Sequence, residues 1–163
     1  MTRRMLALLF TFAVGVIVGH VAIPSIGTHL AEPGVVMAQT HKPVFMTRLY
    51  TGPDNLTHAD EVELKFTPGS PTEVFKMMQV TGAELHRAPG GNFSDWHRAP
   101  RRQYVITLSG RGELEVAGGK KISVGPGNID LVEDTTGKGH ITKVVGTEDR
   151  VTLQLPLADQ SGR

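Results

Sequence analysis

The feature that constrains the fold most is a series of short segments in which apolar and polar residues alternate. Glycine and proline separate these segments at intervals of about 8–12 residues, which is the spacing of strands in all-β domains. The 163-residue chain contains 19 glycines and 10 prolines, and beyond residue 38 it shows no apolar pattern with the helical period. The sequence therefore predicts a single all-β domain, an antiparallel sandwich or barrel.

The clearest local signal is a hairpin at residues 112–124. Leu114 and Val116 alternate with glutamates, Gly118-Gly119 supplies the turn, and alternation resumes on the far side. Further strands are predicted at residues 62–66, 74–80, 103–110, 129–133, 140–145 and 151–157. Residues 24–60, which contain four prolines, predict a linker and an irregular approach to the domain.

The amino terminus differs from the rest of the chain. Arg3 and Arg4 precede an uncharged run at residues 5–19, and Val-Met-Ala ends at Ala38. This pattern is typical of an export signal, so we expect cleavage after Ala38 and a periplasmic or extracellular domain. The alternative is an uncleaved membrane anchor, because residues 5–23 are long enough at about 1.5 Å per residue to cross a bilayer.

Composition narrows the functional classes. The chain has no cysteine, which excludes disulfides, thiolate metal sites and a cysteine nucleophile. Its formal net charge is +1 and it has no basic stripe, so nucleic acid is not expected as a partner. An electrically balanced exported domain favours a small molecule or a protein instead.

One stretch, DWHRAPRRQYVITLSG at residues 95–110, resembles the first motif of the cupin family. That motif runs His-x-His, a short spacer, Glu, six residues and Gly. Asp95 stands at the first histidine, His97 at the second and Gln103 at the glutamate, and Gly110 follows Gln103 after six residues.

A second stretch, VGPGNIDLVEDTTGKGH, resembles the second cupin motif. Gly125-Pro126-Gly127-Asn128 is similar to the family's Pro-Gly-Asp turn, and Gly137 precedes His140 by three residues. The resemblance implies a cupin-type jelly-roll barrel. The expected organisation is a signal or anchor at 1–38, an irregular segment with one strand at 39–71, the barrel at 72–157 and a tail at 158–163.

The resemblance also implies a site for one divalent transition metal, Fe, Mn, Ni or Zn, held by His97, His140, Gln103 and Asp95. Residues two apart in a strand share a face, so Asp95 and His97 are expected to look into the barrel together. Two imidazoles with oxygen ligands suit such a metal. If the protein is an enzyme, the metal implies an isomerase, lyase or dioxygenase reaction.

Three further residues are candidates for binding a ligand at the barrel mouth. Arg102 suits an anionic group, Glu133 suits a general acid or base, and His86 is a third imidazole if its strand register turns it inward. Each has a structural alternative. Glu133 would be an exposed turn residue, His86 a surface residue, and Arg102 the partner of a nearby carboxylate, Asp95, Glu113 or Glu115.

Two functions follow from these residues. In the first, the barrel binds a small organic ligand through the metal. In the second, which the aspartate at 95 and the valine at 144 favour, it is a metal-free ligand sensor or interaction module, with residues 5–23 as its membrane tether. The resemblance further implies pairing into a homodimer through edge strands.

Overall fold

The alternating segments form two β-sheets. The computed structural model describes residues 41–69 and 71–161, and within them the strands are β1 (Phe45–Thr51), β2 (Thr57–Glu63), β3 (Glu84–Ala88), β4 (Phe93–His97), β5 (Gln103–Ser109), β6 (Arg111–Glu115), β7 (Lys121–Val124), β8 (Ile129–Val132), β9 (His140–Val145) and β10 (Arg150–Pro156). One sheet has the order β2-β1-β8-β5-β10-β3 and the other β4-β9-β6-β7. The predicted all-β class is confirmed, as a sandwich of two sheets.

The predicted hairpin is confirmed as β6 and β7, which pair antiparallel. Gly118 and Gly119 both have φ of +76°, a backbone conformation that residues with a side chain rarely adopt. The glycine pair therefore allows β7 to return beside β6. Four other predicted strands, at 103–110, 129–133, 140–145 and 151–157, correspond to β5, β8, β9 and β10.

The prediction of an irregular approach is wrong for residues 45–51 and 57–60, which form strands. Strand β1 lies inside the six-stranded sheet, antiparallel to β2 and parallel to β8. Its buried residues, Met46 and Leu49, are three apart because the strand places them on opposite sides of the sheet. A search for strict alternation of apolar and polar residues misses a strand with this spacing. The strand expected at 62–66 instead ends at Glu63.

The strand predicted at 74–80 is also wrong. This segment joins the rest of the structure through isolated bridges, Thr67 with Val74 and Val80 with Leu157. Its Phe75 and Met77 nevertheless pack against a buried cluster on one face of the six-stranded sheet, composed of Met46, Leu64, Tyr104, Leu131 and Leu157. Apolar alternation here reflects a covering segment rather than a strand.

The second buried cluster lies between the sheets and is composed of Leu49, Ala59, Ala99, Leu114, Val116, Val124 and Val132. It packs one end of the interior and leaves a polar cavity beside it. In the described ranges, no helix is long and apolar enough to cross a membrane. The predicted export signal and the Ala38 cleavage site lie outside the described residues.

Candidate functional site

A cavity of about 340 Å³ lies between the two sheets, which is within the range of small-molecule sites. Both sheets contribute polar side chains to its wall. The six-stranded sheet supplies His86, Gln103, Asp130, Arg150, Thr152 and Gln154, and the four-stranded sheet supplies Ser94, His97, His140 and Thr142. This concentration of polar groups in a β sandwich interior identifies the candidate site.

His97 and His140 are neighbours in this cavity. They are opposite each other in the β4–β9 pairing, and their ring centroids are 4.5 Å apart with an angle of 54° between the planes. The structure thus brings together the two histidines that the cupin resemblance selected. The proximity follows from strand register, which sequence spacing alone could not show.

Each imidazole is oriented by an oxygen that faces its Nδ1 atom. His97 Nδ1 is 2.8 Å from the carbonyl oxygen of Asp95, and His140 Nδ1 is 2.6 Å from Asp134 Oδ2. Because a carbonyl and a carboxylate accept hydrogen bonds, both Nδ1 atoms are donors, and a neutral ring then carries its lone pair on Nε2. Thr57 Oγ1 donates to the same Asp134 oxygen at 3.1 Å, which fixes the carboxylate in turn.

The prediction that Asp95 joins His97 in the cavity is wrong. A β-bulge lies between Ser94 and His97, where three residues of β4 span the distance of two on β9. The bulge turns Ser94 and His97 to the cavity, while Asp95 is exposed and its Oδ1 accepts a hydrogen bond from the backbone N–H of Trp96 at 2.8 Å. Its contribution to the site is the backbone carbonyl that orients His97.

Gln103, at the start of β5, does line the cavity and is buried. Its Oε1 accepts a hydrogen bond from Arg101 Nε at 3.0 Å, and Arg101 also binds Glu84 at 2.6 Å. An amide oxygen has a second lone pair, so Gln103 keeps one acceptor position for a further partner.

The structure does not bring Arg102 or Glu133 to the cavity. Arg102 is 2% exposed and its guanidinium binds Glu133 Oε1 through Nε and Nη2. Its Nη1 donates to the carbonyl oxygens of Asp159 and Ser161 at 2.7 and 2.6 Å. The expected pairing with Asp95, Glu113 or Glu115 is therefore wrong, because the guanidinium pairs with Glu133 instead.

Glu133 is the centre of this structural cluster rather than a ligand-binding acid. Arg48 Nε donates to its second oxygen at 2.6 Å. Burial raises the pKa of Glu133, but the hydrogen bonds from Arg102 and Arg48 outweigh burial and leave the pKa below its ordinary value. Both carboxylate oxygens are thus committed to arginines, one to Arg48 and the other to Arg102.

His86 stands at the rim of the cavity. It lies on β3, opposite Thr152 of β10, and its side chain is 49% exposed. Its Nε2 is 2.9 Å from Glu84 Oε2. The structure therefore combines the two alternatives of the sequence analysis, since this histidine is exposed and still lines the cavity.

Sequence reasoning missed Asp130 and Arg150, which are both buried and line the cavity. Arg150 Nη2 donates to Thr107 Oγ1 at 2.8 Å and lies 3.9 Å from Asp130 Oδ2. Neither Asp130 oxygen has a hydrogen-bond partner in the described part of the chain. A signal existed, because alternation in IDLV places Asp130 and Val132 on one face of β8.

Burial raises the pKa of Asp130 to about 6, although Arg150 opposes the rise. In the unfolded chain this carboxyl ionises near 3.8, so between these values the folded state binds more protons and stability falls as pH increases. The fall in the free energy of unfolding should be about 3 kcal/mol, and Asp130→Asn should abolish it. Urea unfolding of both proteins from pH 4 to pH 7 checks it; parallel stability curves would contradict the assignment.

The donor set partly fits a transition metal. Two imidazoles with Nδ1 atoms held by oxygens are the usual form of histidine ligands, and the Gln103 amide adds an oxygen. In residues 41–69 and 71–161, however, no group of three or more histidine, cysteine, aspartate or glutamate side chains is placed to hold an ion. The four-ligand set with Asp95 is not assembled.

No protein-family model matches the chain, and no curated protein matches it. Solved structures with a similar fold include the Schizosaccharomyces pombe Cnp3 cupin domain, at 14% identity and a TM-score of 0.39 over 74% of this chain and 90% of that one. A Rhodospirillum rubrum cupin-2 domain has 18% identity and a TM-score of 0.39 over 77% of each chain. A Bacteroides fragilis cupin protein has 20% identity and a TM-score of 0.33 over 52% of this chain and 74% of that one.

Proposed function

We propose that this cupin-like domain is exported and binds a small organic ligand in the cavity between its sheets, with one divalent transition metal held by His97 and His140. The observation that carries the proposal is the pair of imidazoles, whose ring centroids are 4.5 Å apart and whose Nδ1 atoms each face an oxygen. The export part rests on the sequence pattern of residues 1–38 alone.

Gln103 would complete the protein ligands through its free acceptor position. Two imidazoles and a neutral amide suit a metal of intermediate softness such as Fe(II), Mn(II), Ni(II) or Zn(II). When bound, the metal would supply a Lewis acid toward an oxygen of the ligand. The chain's own residues orient the two imidazoles, through Asp95 and Asp134, and surround the bound molecule with polar side chains.

Metal content tests this proposal. Purified full-length protein, incubated with Fe(II), Mn(II), Ni(II) or Zn(II) and desalted, should retain about one ion per chain by elemental mass spectrometry. His97→Ala/His140→Ala should bind that metal at least about 100-fold more weakly, because the change removes both nitrogen ligands. The matched control is His41→Ala/His58→Ala, which removes two exposed histidines outside the cavity and should leave retention unchanged.

A metal-free ligand-binding domain is the second candidate, and two observations favour it. Asp95 faces away from the cavity, and Gln103 Oε1 is already bonded to Arg101. The same experiment separates the candidates. A folded protein that retains no ion from any of the four solutions would exclude the metal proposal and leave the two histidines as hydrogen-bonding groups for the ligand.

A further inference from the structure

The charged groups around the cavity are unequal in sign. In the described part of the chain, one carboxylate, Asp130, lines the cavity against two guanidinium groups, Arg87 and Arg150. A surplus of positive charge in a desolvated cleft attracts ligands of the opposite sign. The cavity therefore favours an anion.

Arg150 is a buried cation that does not use all of its hydrogen-bond donors within the described part of the chain. Its side chain is 8% exposed, so water solvates it poorly. Within residues 41–69 and 71–161 it makes one hydrogen bond, from Nη2 to Thr107, and its buried Nε has no partner. A buried guanidinium with unused donors is costly unless an acceptor meets it.

Asp130 does not supply Arg150 with a hydrogen-bond acceptor. The closest approach between the two groups is 3.9 Å, which is longer than a hydrogen bond. Burial lowers the pKa of Arg150 and raises that of Asp130, and each group opposes the shift of the other. The interaction between them is therefore an attraction of buried charges without a hydrogen bond, and the guanidinium keeps donors for another group.

We propose that Arg150 receives the carboxylate of a small organic acid, which makes the ligand of this cavity an organic anion. Guanidinium and carboxylate match in geometry, because two N–H donors can meet two oxygens. The inference rests on the proposed ligand-binding function and names its ligand class. The metal-binding part of that function does not depend on it.

Matched acids and amides test the ligand class. Acetate, lactate, succinate and benzoate are titrated into isotope-labelled full-length protein beside acetamide, lactamide, succinamide and benzamide, and backbone amide signals are followed by NMR. At least one acid should produce saturable shifts at cavity residues, and its amide should bind at least about tenfold more weakly, because charge-assisted hydrogen bonds are lost.

The variant Arg150→Gln should weaken binding of the same acid by about ten- to hundredfold. Arg111→Gln is the matched control, since Arg111 is exposed and does not line this cavity, and it should change the affinity less than about threefold. If Arg150→Gln fails to fold, Asp130→Asn/Arg150→Gln removes both buried charges together and should show the same loss.

Three results would overturn the inference. They are equal binding of an acid and its amide, unchanged acid binding in both Arg150 variants, and the absence of saturable shifts at cavity residues with all four acids. Metal retention is measured separately and depends on His97 and His140, so a protein that binds metal but no acid disproves the anion assignment alone. A protein that binds acids but no metal disproves the metal proposal alone.

Discussion

Gly139→Ala should destabilise the protein by about 2–5 kcal/mol and disturb the paired histidines. Gly139 has φ of +80°, and a Cβ placed there would overlap the carbonyl oxygen of His97 and lie 2.7 Å from the backbone nitrogen of Arg98. The left-handed conformation costs a residue with a side chain about 1–2 kcal/mol, and the overlap adds about 1–3 kcal/mol. Urea unfolding at neutral pH measures the sum.

The control for this prediction is Gly118→Ala. Gly118 has φ of +76°, nearly the same as Gly139, but a Cβ there would meet nothing within 4 Å. This variant should lose about 1–2 kcal/mol, the conformational part alone. Equal losses in the two variants would show that close packing against the backbone of His97 contributes nothing, and would contradict the prediction.

Arg102→Met should cost about 3–5 kcal/mol, as removal of one partner from a buried ion pair usually does. Methionine replaces the length of the side chain but not its charge. Glu133 would keep Arg48, yet the carbonyl oxygens of Asp159 and Ser161 would lose the Nη1 donor at 2.7 and 2.6 Å. The change in the free energy of unfolding, measured with urea, gives the result.

The adjacent Arg101 provides a matched comparison for that substitution. Its side chain is 34% exposed and its ionic partner, Glu84, is 44% exposed, so Arg101→Met should cost about 0–1 kcal/mol. If the two variants proved equally stable, the contribution assigned to the buried cluster of Arg102 and Glu133 would be refuted.

Sequence predicts a strand most directly where burial alternates along it. Burial alternates in β6 and at the start of β10, and the positions of both strands agree with the prediction. Strand β1 does not have this alternation, because the six-stranded sheet is covered on both faces and the strand buries Met46 and Leu49 on opposite sides.

The same reasoning explains the outcome at the candidate site. His97 and His140 carried the motif resemblance and lie together. Asp95 was misplaced because strict alternation does not hold across a bulge, and one additional residue reverses the face of a side chain. Arg150 escaped notice because its role depends on β10 lying beside β5 and opposite β4 and β9, which local sequence cannot reveal.

The hydroxyl that steadies Asp134, and through it His140, belongs to Thr57, which is 77 positions from Asp134 in the chain. Thr57 begins β2, whose partner β1 is bound to β8 inside the larger sheet. The orientation of His140 therefore depends on the N-terminal hairpin as well as on the histidine motif. Recombination that exchanged the region after residue 71 between related genes would separate His140 from the hydroxyl that supports its carboxylate, even with every residue of the motif intact.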